Sequence, residues 1–231
     1  RQMCIRDRYI RNEKVKTLRS IAPITLDDIV VGQYVAARYK SEDRRGYLEE
    51  EGVPSDSITP SYAAAMVRIR NRRWDGIPFL MRAGKGLNQV KTEIRITFRN
   101  VPANIFAASP TPPSANDMII RVQPDPGISL NIMNKVPGLR LTLQETELNL
   151  SYATAFENQI PEAYESLLLD VVNGDKSLFI RSDELEAAWD VFTPVLNDLE
   201  SCVMRPQGYA FGSAGPKAAD ALAALYDTAW E

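Results

Sequence analysis

The sequence contains no histidine and only two cysteines, Cys4 and Cys202, which lie near opposite ends of its 231 residues. Histidine is the side chain whose unperturbed pKa, about 6.5, lies nearest neutrality, so its absence removes both the commonest general base and the commonest metal ligand. Two distant cysteines make neither a disulfide framework nor a zinc cluster, and they fit a reducing compartment. No apolar run approaches the roughly 20 residues that cross a bilayer, and no hydrophobic secretory stretch opens the chain, so the expected compartment is the cytoplasm, with no membrane partner. A net charge of −3 lacks the basic excess of a nucleic-acid binder, so no nucleic-acid partner is expected. No metal site is readable either. Gly84-Lys85 is no phosphate loop, because Phe79 stands where the first glycine belongs and Gly86 where the Ser/Thr belongs. Asn149-Leu150-Ser151 is a glycosylation sequon without the secretory signal that would give it meaning.

What is present is a globular composition, 45% hydrophobic and 25% charged, with enough length for a core of ordinary size. The opening "RQMCIRDRY" has no clear periodicity and reads as a non-native leader joined near Ile10. Val15, Leu18 and Ile21 then follow at helical spacing, as the end of a helix. "DDIVVGQYVAARY" is a strand candidate, and residues 40–60 read as a long loop.

The centre is strand-rich. "KTEIRITFRN" alternates Ile94, Ile96 and Phe98 with Glu93, Arg95, Thr97 and Arg99, as a sheet with one solvated or ligand-facing side requires. "AAAMVRIRN", "IPFLMRAG", "DMIIRVQ", "ISLNIMNK" and "ETELNLSY" add short strands too closely spaced for helical crossovers. The last third is helical. "PEAYESLLLDVVNGD" opens on Pro161, aligns Tyr164, Leu167, Leu168 and Val171, and stops at Gly174. Ser182 is expected to cap a second helix with Leu185, Trp189, Phe192, Leu196 and Leu199 facing the core and a kink at Pro194. "GPKAADALAALYDTAW" gives a final helix. The order predicts an α+β domain over residues 10–231, a large, mainly antiparallel sheet with helices packed on one face. Trp74 and Trp189 read most simply as core, and the face carrying Ile94, Ile96 and Phe98 as a possible subunit interface.

"GQY" at 32–34, "GYL" at 46–48, "RWDGIPFLMRAGK" at 73–85, "RVQP" at 121–124, "PEAYESLLLD" at 161–170, "RSDELEAAW" at 181–189 and "YAFGSAGP" at 209–216 occur in an order and spacing that closely resemble the carboxyl-terminal domain of glucose-6-phosphate dehydrogenase. The resemblance implies an NADP-dependent oxidation of glucose 6-phosphate to 6-phosphogluconolactone, the first step of the oxidative pentose phosphate pathway. It implies that this domain completes the sugar-phosphate pocket and forms the interface of a homodimer or homotetramer. It also places the Rossmann domain and the proton-accepting histidine upstream of this sequence, so that the chain alone is expected not to turn over.

Residue by residue, Lys85 matches the family lysine that reaches the substrate, and Gln123 matches a substrate-contacting glutamine. A compact ammonium with rotatable donors suits sugar and phosphate oxygens. On composition alone Lys85 is a solvated turn lysine and Gln123 an ordinary strand-end hydrogen bonder. A second family cation, five residues beyond Lys85, is replaced by Val90, and Lys91 is the candidate substitute through a register shift. Some members bind a second, structural NADP, whose cations Arg82, Lys91, Arg95 and Arg121 match. Ser129, Leu130 and Asn131 replace a Tyr-Thr-Lys run there, and Ala214 replaces an arginine, which weighs against such a nucleotide. The same arginines could pair with Glu93, Glu145 or Glu147. The rival functional class is a stand-alone, non-catalytic interaction domain. A sugar-phosphate dehydrogenase of this family that also uses NAD stays open as well.

Overall fold

The computed structural model describes residues 2–101, 105–106, 113–155, 163–176, 178–226 and 228–230. The chain forms two compact units, one from residues 1–89 and 163–231, the other from residues 90–162.

The first unit opens with helix α1, Gln2–Arg19, which runs unbroken across residue 10 and buries Val15. Strands β1 (Ile29–Val35), β2 (Ala37–Tyr39), β3 (Glu42–Arg44), β4 (Tyr62–Arg68) and β5 (Pro78–Gly84) follow. Later, after a short helix α2 (Tyr152–Ala155) that belongs to the other unit, come helices α3 (Ala163–Asn173) and α4 (Ser182–Ser201), strand β10 (Gln207–Ala210) and helix α5 (Lys217–Ala224). A sheet of order β10-β1-β4-β5 is antiparallel except that β10 lies parallel to β1. The small β2–β3 hairpin falls partly within the stretch the sequence suggests is loop.

Strand β4 is buried on both faces, and the alternation of its side chains divides the core in two. Tyr62, Ala64 and Met66 pack with Tyr209 of β10 and with Ala219 and Leu222 of α5. Val67, one residue out of step, packs with Ile24 and with Val191 and Val195 of α4. The α+β, mainly antiparallel expectation therefore holds, but the helices are not confined to one face as expected: α5 packs on one face of this sheet and α4 on the other, because both faces of β4 carry apolar side chains.

The second unit is the meander β6 (Thr92–Thr97), β7 (Asp117–Gln123), β8 (Gly127–Lys135) and β9 (Leu143–Ser151), all antiparallel, followed by α2 (Tyr152–Ala155). The expected single large sheet is thus two four-stranded sheets. Cross-strand partners share a face, so Ile94, Ile120, Ile128 and Leu150 form one apolar row and Ile96, Met118, Leu130 and Leu148 the next. The opposite face carries Glu93, Arg95, Asp117 and Arg121.

Three helix expectations change. In α4 the buried residues are Ala187, Val191, Val195 and Leu199, whereas Leu185, Leu196 and Trp189, the last 58% exposed, lie outside the core. Of the expected stripe, Leu199 is buried and Phe192 packs against the Ile24, Val67, Val191 and Val195 cluster, so the buried face is turned toward the smaller Ala187, Val191 and Val195. Trp189 is therefore no core residue, while Trp74 is half-buried and meets Phe79 edge-on. Second, Ser182 is the first residue of α4, and extended Arg181 precedes it, forking onto Asp183 through Nε and Nη2. The helix continues through Pro194. Third, Tyr164, Leu168 and Val171 of α3 align as expected yet stay exposed, and Gly174 ends that helix at φ +69. Pro161 lies outside the described residues.

Candidate functional site

Lys85 sits at the end of β5 between two glycines, so no neighbouring side chain braces it, and its position depends on the backbone. That backbone is held on both sides. The Lys85 N–H donates to the Ser61 carbonyl at 2.8 Å, extending the β4–β5 ladder by one step. The Lys85 carbonyl accepts from the Tyr209 hydroxyl at 2.7 Å. Beyond it, the Gly212 N–H donates to the Gly86 carbonyl at 2.6 Å and the Asn88 N–H to the Ser213 carbonyl at 2.9 Å. The segment "YAFGSAGP" is thereby stitched to the turn that bears the lysine.

Glycines make this close approach possible. A Cβ on Gly212, at φ +85, would lie 2.1 Å from Cδ2 of Tyr39, and one on Gly86, at φ +58, would lie 2.8 Å from Cδ2 of Phe211. Around them Tyr34, Tyr39, Tyr47, Tyr209 and Phe211 meet edge to face, with ring centroids 5.6 to 6.4 Å apart. Buried Gln33 fixes the loop leading into Ser61, donating to the carbonyls of Ser57 and Thr59 at 2.9 and 2.7 Å. Burial raises the pKa of the Tyr209 phenol, so it stays protonated and able to donate. Burial also raises that of Tyr62, with the Arg82 guanidinium pulling the other way.

The Lys85 side chain is exposed, and no carboxylate or carbonyl holds its ammonium among the described residues. An unneutralised ammonium on a fixed turn is suited to receive an anion or polar oxygens from solution. Arg82 belongs to the same unit but lies over the Trp230 ring, 4.9 Å from its centroid. The remaining candidates fall in the second unit. Gln123 and Arg121 are exposed near the end of β7, with Gln123 opposite Thr92 and Arg121 opposite Glu93 across a register shift in β6. Lys91 donates to Glu93 at 2.8 Å, and Arg95 pairs with buried Asp117, so two of the candidate cations are already neutralised. The acid engaging Arg95 is Asp117, which sequence reading did not put forward. Val90 is exposed.

Residues 2–231 match the family model described as glucose-6-phosphate dehydrogenase, C-terminal domain. The chain belongs to this family. It is 49% identical over 224 residues to the chloroplastic glucose-6-phosphate 1-dehydrogenase of Spinacia oleracea, covering 96% of this chain and 39% of the relative. It is 47% identical to the Dictyostelium discoideum enzyme, covering 92% and 42%. A solved glucose-6-phosphate dehydrogenase in complex with its substrate glucose 6-phosphate is 41% identical and superposes with a TM-score of 0.88 over 97% of this chain and 46% of that one. The Mycobacterium avium enzyme gives 33% identity and a TM-score of 0.81 over 97% and 44%. The chain thus spans about two fifths of the length of these curated relatives.

Within the glucose-6-phosphate dehydrogenase C-terminal domain, the sequence singles out Lys85 as a candidate but does not point to Tyr209 and Ser61, which hold its backbone. Tyr209 lies within the quoted motif "YAFGSAGP", yet its bond to Lys85 spans 124 positions. The one local hint was the lysine's lack of bracing neighbours.

Proposed function

We propose that the protein containing this chain is an NADP-dependent glucose-6-phosphate dehydrogenase, in which this domain forms part of the sugar-phosphate pocket. The observation that carries the reading is Lys85, an ammonium without a counter-ion among the described residues on a doubly anchored turn, in a chain of this family. Lys85 binds and orients the substrate oxygens, while Gln123, which belongs to the second unit, is exposed and offers an amide donor and acceptor there. Lys91 is less suited to replace the cation absent at Val90, because it is paired with Glu93. A bound nicotinamide coenzyme would supply the hydride acceptor. A relative's solved complex with glucose 6-phosphate supports the substrate.

A second, structural NADP fits this domain poorly. Arg95 is engaged by Asp117, Lys91 by Glu93, and Arg82 lies over Trp230, which leaves exposed Arg121, while Ser129, Leu130, Asn131 and Ala214 offer neither a cation nor an aromatic face. We further propose a homodimer or homotetramer assembled through the apolar face of the second sheet. For compartment, the reading is the cytoplasm, supported by the low cysteine content.

A non-catalytic interaction domain is less well supported, since it gives no reason for the anchored, unneutralised lysine. The deciding experiment assays the full-length protein for NADPH formation from glucose 6-phosphate. Turnover that Lys85→Ala impairs through a higher KM for the sugar phosphate supports the proposal, and absence of turnover overturns it.

A further inference from the structure

Lys85 stands between Gly84 and Gly86, two residues that would otherwise leave its backbone free to pivot. The group that closes this freedom is a buried phenol from a distant strand. Tyr209 is only 4% exposed, and its hydroxyl lies 2.7 Å from the Lys85 carbonyl and 3.0 Å from Ser61 Oγ. A phenol has one proton to give and lone pairs to receive. The shorter contact, to a carbonyl that can only accept, takes the proton, and the Ser61 hydroxyl donates to the phenol oxygen. Ser61 Oγ in turn accepts from the Tyr34 N–H at 3.1 Å. A directed relay therefore runs from β1 through Ser61 and β10 to the end of β5.

Resting on the reading of Lys85 as the substrate cation, we propose that Tyr209 is its positioning residue, fixing through the Lys85 carbonyl the direction in which the ammonium meets the sugar phosphate. The phenol itself touches no substrate. It removes the backbone freedom that two flanking glycines leave, so that less ordering remains to be done when the anion binds. The Gly84 environment reinforces this, because a Cβ there would meet Cδ2 of Tyr62 at 2.6 Å and a bulkier residue could not replace the bond with steric bracing.

The test is a double-mutant cycle in the full-length protein, measuring KM for glucose 6-phosphate, KM for NADP, kcat and thermal midpoint. Lys85→Ala is expected to raise the sugar-phosphate KM by about 10- to 100-fold, the loss of a charge-assisted contact. Tyr209→Phe keeps the ring and removes one oxygen, and is expected to raise the same KM about fivefold with KM for NADP unchanged. In the Lys85→Ala background, Tyr209→Phe is expected to add nothing to that KM. Ser61→Ala, which removes the hydroxyl orienting the phenol, is expected to shift it in the same direction and serves if Tyr209→Phe does not fold. An unchanged sugar-phosphate KM in Tyr209→Phe, with Lys85→Ala impaired, overturns the positioning role and leaves Lys85 in place. Equal effects of Tyr209→Phe with and without Lys85 also overturn it. No effect of Lys85→Ala overturns the reading of the lysine, and the positioning role with it.

Discussion

Asp28 lies in a short helical turn before β1, with 7% of its surface exposed. Burial alone pushes a carboxyl pKa up, but the Arg68 guanidinium at 2.8 Å, the Thr25 hydroxyl at 2.8 Å and the Thr25 N–H at 3.1 Å all favour the ionised form and hold the carboxyl below its ordinary value. A folded-state pKa below the unfolded one means that the unfolded chain binds protons more readily, so stability rises with pH. The contribution is complete above the unfolded value of about 3.9 and is lost as pH falls through the folded value. Asp28→Asn should therefore cost about 1–3 kcal/mol near neutral pH, and the gap from wild type should narrow below about pH 4. Denaturant unfolding across that range checks it, and a gap that widens in acid contradicts it. Glycine positions offer a sharper contrast. Gly212 and Gly52 share a left-handed backbone at φ +85 and +81, but a Cβ on Gly52 meets nothing within 4 Å, whereas one on Gly212 strikes Tyr39. Gly52→Ala should cost about 1 kcal/mol of backbone strain. Gly212→Ala should cost at least twice that, because the aromatic cluster beside Lys85 must also move. Similar losses at both sites would mean that the Tyr39 ring yields freely.

At the scale of the element, what the sequence discloses is periodicity, and what it conceals is the partner. The period of two in "KTEIRITFRN" correctly separates the apolar row of Ile94 and Ile96 from the polar row of Glu93 and Arg95, since alternation is a property of the strand itself. The period in α4 identifies a helix, but choosing its buried face requires knowing the surface it meets. That surface includes Val67 and Ile24, and it is met by Val191, Val195 and Phe192 rather than by Trp189. Likewise, the engagement of Arg95 by Asp117 was illegible because a connection of 19 residues separates β6 from β7, and register across it cannot be read locally. The assignment of the face has a direct consequence. Val195 is fully buried, so Val195→Ala should lose about 2 kcal/mol through lost burial and a residual cavity. Trp189→Ala removes a much larger side chain that is 58% exposed, and should cost less than Val195→Ala. Thermal unfolding of the two variants compares them, and the reverse order would restore the stripe that sequence periodicity favours.

At the scale of the molecule, the second sheet poses the question of association. Its two apolar rows are continuous across four strands, yet Ile94, Ile96, Leu148 and Leu150 are between 43% and 60% exposed. Such a face, bounded by the polar row of the opposite side, resembles an interaction surface more than a solvated one. A second copy is the occupant proposed here, because an antiparallel meander can meet itself about a two-fold axis with the same residues contributed by each partner. Lys85 lies in the other unit, so its anchoring does not depend on this face. Ile96→Glu combined with Leu148→Glu places one charge on an edge strand and one on the opposite edge, at positions exposed enough for the chain to fold unhindered. In an assembled protein both charges lose water without gaining partners, a penalty of several kcal/mol. Association should weaken on the order of a hundredfold or more. Light scattering on the full-length protein should give wild type a mass that is a small multiple of one chain and resistant to dilution, and the double variant the mass of one chain. A wild-type protein that stays monomeric at every dilution would overturn assembly through this sheet and leave the apolar face without the partner its composition calls for.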